Sequence, residues 1–224
     1  MYVTISSPHE GIASDKGLSD RPPTLPLTRL APERHLYYEG DKVERIYQVK
    51  SGVVRLTRLL EDGRRQIIAF GYPGDIVGFP FNGHHHTECE TLTRVELQPY
   101  LLTHLENGRS DPALHASLLQ AALREIAAMQ DHFMMLGRKT AQEKLASFLA
   151  VLADRVGIKT GEFTQIALPM SRADIADFLG LTTETVSRTF SQLRKNKTIA
   201  LNGVHVVIIR NRAALNALAE GDHG

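Results

Sequence analysis

The chain has 224 residues, 42% of them hydrophobic and 23% charged, and a formal net charge of +1, a composition typical of a globular protein with one large or two small domains. Its single cysteine excludes an intramolecular disulfide and any iron–sulfur cluster held by several thiolates of one chain. The sequence lacks an apolar run of about 18 residues and a secretory signal pattern at its start, so we expect a cytoplasmic protein without a membrane span.

The first part of the chain predicts a tail followed by a β-domain. Residues 1–28 are rich in Ser, Pro, Gly and charge without a periodic apolar face, which predicts a mobile tail. In residues 29–108, short β-branched or alternating segments are separated by turn signals such as EGD, KSG and YPGD. Their spacing of roughly ten residues favours an antiparallel β-barrel or jelly roll, with its best hairpin signal at Glu61-Asp62-Gly63.

A long helix is predicted next, over residues 109–137. Ser110 can cap it, Pro112 is tolerated in its first turn, and helix-forming residues continue to about Met135. Apolar residues alternate along it by three and four positions, at Leu119, Ala122, Ile126, Met129, Phe133 and Leu136. This is the spacing of a coiled-coil seam and favours a homodimer, with packing of the stripe on the barrel as the alternative. A second helix is predicted from Ala141 to Val156.

The C-terminal part predicts two helices joined by a tight turn. Ser171 and Asp174 have the spacing of a capping box for a helix from Arg172 to Leu179. Gly180 permits a left-handed turn, and Thr182 can cap the next helix. Two β-rich segments, KTIAL and VHVVIIR, follow and are joined at Asn202-Gly203. Together these elements predict an α+β chain that ends in a winged helix-turn-helix domain.

This domain, residues 138–224, has the charge and side chains of a DNA-binding unit. Between residues 138 and 212 there are 12 lysines or arginines and 6 aspartates or glutamates, an excess that fits a polyanion. Glu184, Ser187 and Arg188 share the first turns of the second helix, where they can read base edges in the major groove of double-stranded DNA. A surface salt bridge between Glu184 and Arg188 is the alternative. The predicted phosphate contacts are Arg172, Thr182, Thr183, Arg194, Lys195 and Lys197.

The order of barrel, long helix and winged helix-turn-helix over about residues 30–218 resembles the CRP/FNR superfamily of bacterial transcription regulators. The E-x-x-S-R pattern in LGLTTETVSRTFSQLRK and the stretch GDIVGF resemble its FNR branch, and LPMSRADIADFLGLT resembles the FixK group. The resemblance implies a symmetric dimer on a TTGAT-type palindrome, contact between the barrel and RNA polymerase, and regulation, mostly activation, of microaerobic, respiratory or nitrogen-fixation genes. Binding of cyclic AMP is not expected, because Phe79 follows Gly78 and HHHTECE replaces the Arg-Ser pair of the cyclic-nucleotide branch.

One histidine-rich stretch is compatible with two other functions, a haem-dependent or metal-dependent sensor and a metal enzyme. His84, His85, His86 and Cys89 carry metal-ligating or haem-ligating groups, and haem-dependent nitric oxide sensors occur in the same superfamily. Consecutive residues of a loop point in different directions, so we expect a solvated loop without a metal or cofactor, and Cys89 as an inert strand residue. A cupin-like metal enzyme using Glu88 and Glu90 is a remote alternative, because no catalytic motif accompanies them.

Overall fold

The computed structural model describes residues 25–107 and 111–221, which form two units that divide between Met129 and Gln130. The predicted tail, residues 1–28, lies outside the described residues except for its last four, and Thr28 already begins a strand. Ser110, the predicted cap, also lies outside them. Within the described ranges, no helix combines the length and apolar character that crossing a lipid bilayer requires.

The first unit is built on antiparallel strands, which confirms the predicted class of fold. Two four-stranded sheets have the orders β1-β10-β3-β6 and β2-β9-β4-β5, and β7 pairs with β8. The strands are β1 (Thr28–Leu30), β2 (His35–Tyr37), β3 (Arg45–Ser51), β4 (Val54–Leu59), β5 (Arg65–Gly71), β6 (Ile76–Val77), β7 (Pro80–Phe81), β8 (His84–His85), β9 (Glu88–Thr91) and β10 (Val95–Leu101). Val49, Leu56 and Leu97 are among the inward side chains that fill the space between the sheets.

The predicted hairpin at Glu61-Asp62-Gly63 is confirmed. Leu59 of β4 pairs with Arg65 of β5, and the loop between them closes through the amide of Leu60, which donates to the carbonyl of Arg64 at 2.8 Å. Gly63 has a φ of 81°, a conformation that glycine adopts without a steric penalty.

Two helices follow β10. The short α1 (Leu102–Glu106) was not predicted, whereas α2 (Pro112–Arg138) is the predicted long helix and ends one residue beyond the predicted end at residue 137. Asp111 Oδ1 accepts a hydrogen bond from the amide of Leu114 at 2.9 Å, so Asp111 supplies a cap for the described helix start. Leu114 and Leu118 are buried against Ile46 and Tyr100 of the sheets, which fixes the first turns of α2 on the first unit.

The described residues of the second unit form four further helices and one antiparallel sheet of order β11-β12-β14-β13. Its elements are α3 (Ala141–Val156), β11 (Ile158–Thr160), β12 (Phe163–Ala167), α4 (Arg172–Leu179), α5 (Thr183–Lys195), β13 (Ile199–Asn202), β14 (Val206–Ile209) and α6 (Arg212–Glu220). The bounds of α3 and α4 are those predicted. The sequence analysis missed β11 and α6. The latter packs on α3, where Arg212 donates to Asp154 at 2.6 Å.

Candidate nucleic-acid interface

The first helix of the motif, α4, begins at the predicted capping box. Ser171 Oγ accepts from the amide of Asp174 at 3.0 Å, and Asp174 Oδ2 accepts from the amide of Ser171 at 2.9 Å. At the other end, Gly180 has φ 61° and ψ 44°, and its amide donates to the carbonyl of Ala176. Because only glycine adopts this left-handed conformation readily, Gly180 turns the chain sharply into the second helix.

The second helix, α5, presents one apolar and one polar face. Thr182 caps it, since its Oγ1 accepts from the amide of Thr185 at 3.1 Å. Val186, Phe190 and Leu193 bury one face against the rest of the unit. Their spacing by four and three residues leaves the opposite face in solvent, as expected for an amphipathic recognition helix.

The three predicted base-reading residues lie together on that solvent face. The side chains of Glu184 and Arg188 are 76% and 72% exposed, and Arg188 Nη2 lies 3.6 Å from Glu184 Oε1. Ser187 Oγ donates to the carbonyl of Thr183 at 2.9 Å, so its lone pairs remain available to a ligand. An exposed ion pair of this kind contributes about 0–1 kcal/mol, so little is lost when either partner turns to a base edge.

Two further polar residues extend this face and were missed in the sequence analysis. Ser191 lies four residues after Ser187, and Gln192 lies four after Arg188, and both are exposed. Ser191 Oγ donates to the carbonyl of Ser187 at 3.0 Å, and Gln192 Nε2 donates to Asn196 Oδ1 at 3.1 Å. The same spacing of three and four residues that grouped the first three would have identified them.

The predicted phosphate contacts have two different environments. Five of them are exposed around the ends of α5, namely Thr182, Thr183, Arg194, Lys195 and Lys197. Arg172 is only partly exposed: its guanidinium carbon lies 3.3 Å from the centre of the Phe190 ring. Burial lowers the pKa of Arg172, although an arginine stays charged at neutral pH. The Phe190 ring therefore holds this cation in one orientation at the start of α4.

The wing is a hairpin of β13 and β14 beside α5. Asn202 pairs with Val206, so the connecting loop is residues 203–205 rather than a tight turn between Asn202 and Gly203. Gly203 has a φ of 68°. The side chain of Val204 is exposed at the tip.

An apolar stripe on α2 matches the predicted seam. Ile126 and Phe133 are 54% and 75% exposed, and Leu119 and Met129 are exposed as well, whereas Ala122 and Leu136 are partly buried. Leu123 and Met134 are exposed beside them. Large apolar side chains rarely line one side of a helix in contact with water, so this stripe has the character of an interface.

The histidine-rich stretch lies outside the proposed interface, and its prediction as a solvated loop is wrong for His85. His84 and His85 form β8, whose alternation leaves His84 exposed and turns His85 inward, where its ring stacks on Tyr37 at 3.6 Å. Burial lowers the pKa of His85 to about 4, so it is neutral at pH 7. The stacked rings crowd Gly78: a Cβ there would lie 3.2 Å from His85.

The other polar groups of this region make local contacts. His86 Nε2 lies 3.0 Å from an Nη of Arg58, Glu88 accepts from Thr57 at 2.6 Å, and Glu90 pairs with Arg55 at 2.6 Å. Among residues 25–107 and 111–221, no group of three or more His, Cys, Asp or Glu side chains is arranged to hold a metal ion.

Cys89 is expected to be unreactive in the folded protein. It lies in β9 with 0% exposure, and burial raises the pKa of its thiol, so the nucleophilic thiolate is scarce and inaccessible. We expect a chromogenic disulfide reagent at pH 8 to label one thiol per chain in denaturant and essentially none within minutes in buffer. Rapid labelling of the native protein would contradict the buried position.

Comparisons with known proteins assign a family to each of the two parts of the chain. Residues 143–218 match the family model of a Crp-like helix-turn-helix domain, and residues 27–98 match that of a cyclic nucleotide-binding domain. The chain is 39% identical over 215 residues to the nitrogen fixation regulation protein FixK of Azorhizobium caulinodans, covering 93% of this chain and 86% of that protein. It is 37% identical to the transcriptional activatory protein AadR of Rhodopseudomonas palustris, covering 84% and 80%. The solved structure of FixK2 from Bradyrhizobium japonicum superposes with a TM-score of 0.78 at 36% identity, covering 86% of this chain and 96% of that one.

Proposed function

The chain belongs to the CRP/FNR family of transcription regulators, and we propose that it binds a palindromic TTGAT-type operator as a homodimer and activates genes of microaerobic respiration or nitrogen fixation. It carries a DNA-binding helix-turn-helix domain and is a regulator rather than an enzyme, as its FixK and AadR relatives are. The target genes proposed are those that the names of the relatives indicate: FixK is a nitrogen fixation regulation protein, and AadR is a transcriptional activatory protein.

The observation that carries the proposal is the open polar face at the beginning of α5. Helices of this motif enter the major groove by their N-terminal turns, and there Arg188 can donate two hydrogen bonds to guanine O6 and N7. Glu184 can accept from a cytosine amino group, and Ser187 can contact either kind of edge. Because the three side chains are exposed and only weakly bonded within the protein, they are free to make these contacts without unfolding any element.

Phosphate contacts are assigned to the cations around this face. Arg194, Lys195 and Lys197 are exposed at the end of α5 and in the following turn, where they can neutralise the DNA backbone without reading sequence. Arg172 is held over the Phe190 ring, so little side-chain entropy is lost when a phosphate accepts from its guanidinium. These contacts set the position of α5 in the groove and make binding dependent on salt.

A second copy of the chain is the partner that fits the stripe on α2. Two such stripes pack as a symmetric coiled coil and remove Ile126 and Phe133 from water, and each fully buried side chain of that size contributes about 1.5–3 kcal/mol. A symmetric dimer carries two recognition helices, and we propose that they bind half-sites about 34 Å apart, related by the two-fold symmetry of a palindrome. RNA polymerase is the further partner that transcription activation requires.

We also propose that DNA binding needs no iron–sulfur cluster, cyclic nucleotide or haem. The chain has one cysteine, which cannot hold a cluster by itself. Beside Gly78, the stacked Tyr37 and His85 rings occupy the space at the backbone, and neutral His85 offers no charge to a phosphate, so these residues do not fit a cyclic nucleotide. Protein from haem-supplied cells should show no Soret band, and such a band would contradict this part of the proposal.

Transcription in a purified system tests the proposal. We expect the wild-type protein alone to stimulate RNA polymerase on a promoter carrying the palindrome, and to have no effect when both half-sites are scrambled. Stimulation that depends on an added cyclic nucleotide would contradict the cofactor proposal. Equal effects on the two promoters would contradict sequence-specific activation.

A further inference from the structure

A histidine in the last turns of α2, His132, contacts the first helix of the helix-turn-helix. His132 is only 9% exposed, and its ring stacks on that of Phe178 in α4, with 4.3 Å between centroids and 20° between planes. Phe178 is fully buried and also packs on Phe148 of α3, at 5.7 Å. His132 thus joins three helices of the second unit at one aromatic cluster.

The aromatic cluster lies beside the turn between α4 and α5, which sets the direction of the recognition helix. Phe178 is two residues before Gly180, where the chain leaves α4 in the left-handed conformation. Leu136, one turn after His132, lies beside the same glycine. Its Cδ2 is 3.6 Å from the position that a Cβ on Gly180 would occupy. The end of α2 therefore supports the turn from one side.

The surroundings of the His132 ring also set its protonation state. Burial lowers the pKa of the ring by more than the neighbouring backbone of Phe178 raises it. Burial lowers the pKa of His132 to about 4, so the ring is neutral at pH 7, with one nitrogen able to donate. The other nitrogen, Nδ1, is buried without a hydrogen-bond partner among the described residues. The stacked rings therefore fix α4 relative to this turn of α2.

We propose that His132 is a positioning residue for DNA recognition: it fixes the helix-turn-helix to the helix that forms the dimer seam, and thereby sets the spacing between the two recognition helices. The inference rests on the proposed dimeric binding. Phe133, the next residue along the chain, belongs to the exposed stripe, so one turn of α2 contacts the second copy on one side and α4 on the other. His132 itself touches no base.

Binding to DNA with different distances between the half-sites distinguishes a positioning role of His132 from a role in folding alone. One added base pair moves a half-site by about 3.4 Å and rotates it by roughly 35°, which a rigid dimer cannot follow. Binding of the wild-type protein should therefore be measured on a single half-site, on the palindrome, and on palindromes lengthened or shortened by one base pair. Wild-type protein is expected to prefer the palindrome strongly over all three.

His132→Ala is expected to bind the single half-site within about twofold of wild type, because α5 is unchanged. It should bind the palindrome about tenfold more weakly, because the second recognition helix is no longer held at the position of the second half-site and its effective concentration there is lower. Its discrimination between spacings should fall in parallel. His132→Phe keeps a flat ring that can stack on Phe178 and should recover much of the discrimination. His115→Ala, a histidine change elsewhere on α2, serves as the control and should behave as wild type.

Unchanged spacing discrimination in His132→Ala would overturn the inference, and so would an equal loss on half-site and palindrome. If His132→Ala does not fold, as judged by circular dichroism, His132→Leu, which fills similar volume without a flat ring, decides the matter by the same criteria. A wild-type protein that binds half-site and palindrome equally would instead contradict the proposed dimeric binding, and the inference with it.

Discussion

Replacing Ile126 by glutamate is expected to convert the proposed dimer into a monomer and to lower its affinity for the palindrome by at least about 100-fold, because the second half-site is then no longer bound in the same complex. Ile126 is 54% exposed in the isolated chain, so the new carboxylate can stay hydrated in the monomer. In a seam the same carboxylate would be buried without a partner, at a cost of several kcal/mol per interface. Phe133→Glu, in the same stripe, should have the same effect.

Sedimentation velocity and anisotropy titration on the palindrome measure the two consequences. Leu59→Glu is the matched control, because Leu59 is 61% exposed but lies at the end of β4, outside the stripe. This control should sediment as wild type does and bind with unchanged affinity. A sedimentation coefficient of Ile126→Glu equal to that of wild type would contradict the assignment of the stripe.

Replacing Arg188 by alanine is expected to cost about 1–3 kcal/mol of binding free energy per half-site on the operator and to change binding to random duplex little. The residue is exposed and lies 3.6 Å from Glu184, its ion-pair partner, so its removal should leave the free energy of unfolding nearly unchanged. The lost discrimination should be confined to one base pair in each half-site, since a bidentate arginine reads one guanine.

Lys195→Ala is the control for this experiment. Lys195 is exposed in the last turn of α5, where it can meet phosphates, so its loss should weaken binding to operator and random duplex alike. It should also reduce the slope of log affinity against log salt by about one unit. Equal losses of Arg188→Ala on the two duplexes would place Arg188 among the phosphate contacts instead.

Local signals in the sequence were sufficient for most of the second unit. The bounds of α4 follow from the Ser171 and Asp174 capping box and from Gly180, and each of these acts within a few residues of its own position. The start of α5 follows in the same way from Thr182. The grouping of Glu184, Ser187 and Arg188 on one face needs only the helical repeat.

Features that depend on contacts between distant segments could not be predicted in this way. Arg172 was expected at a phosphate, and the sequence gives no sign that it stacks on Phe190, 18 residues away. His85 was expected in solvent, because the prediction treated three histidines as a loop and did not consider that alternate residues of a strand turn inward. The helix α6, by contrast, was missed although it has local signals: Asn211 caps its start by accepting from the amide of Ala214 at 2.9 Å, and Gly221 ends it in the left-handed conformation.

Selection from a random-sequence duplex pool, carried out in parallel with the wild-type protein and Arg188→Ala, tests most directly whether side chains at the start of α5 read bases. We expect wild type to recover a palindrome with TTGAT-type half-sites, and Arg188→Ala to recover the same palindrome with one position per half-site degenerate. Identical motifs from the two proteins, or no enriched motif from wild type, would contradict the account.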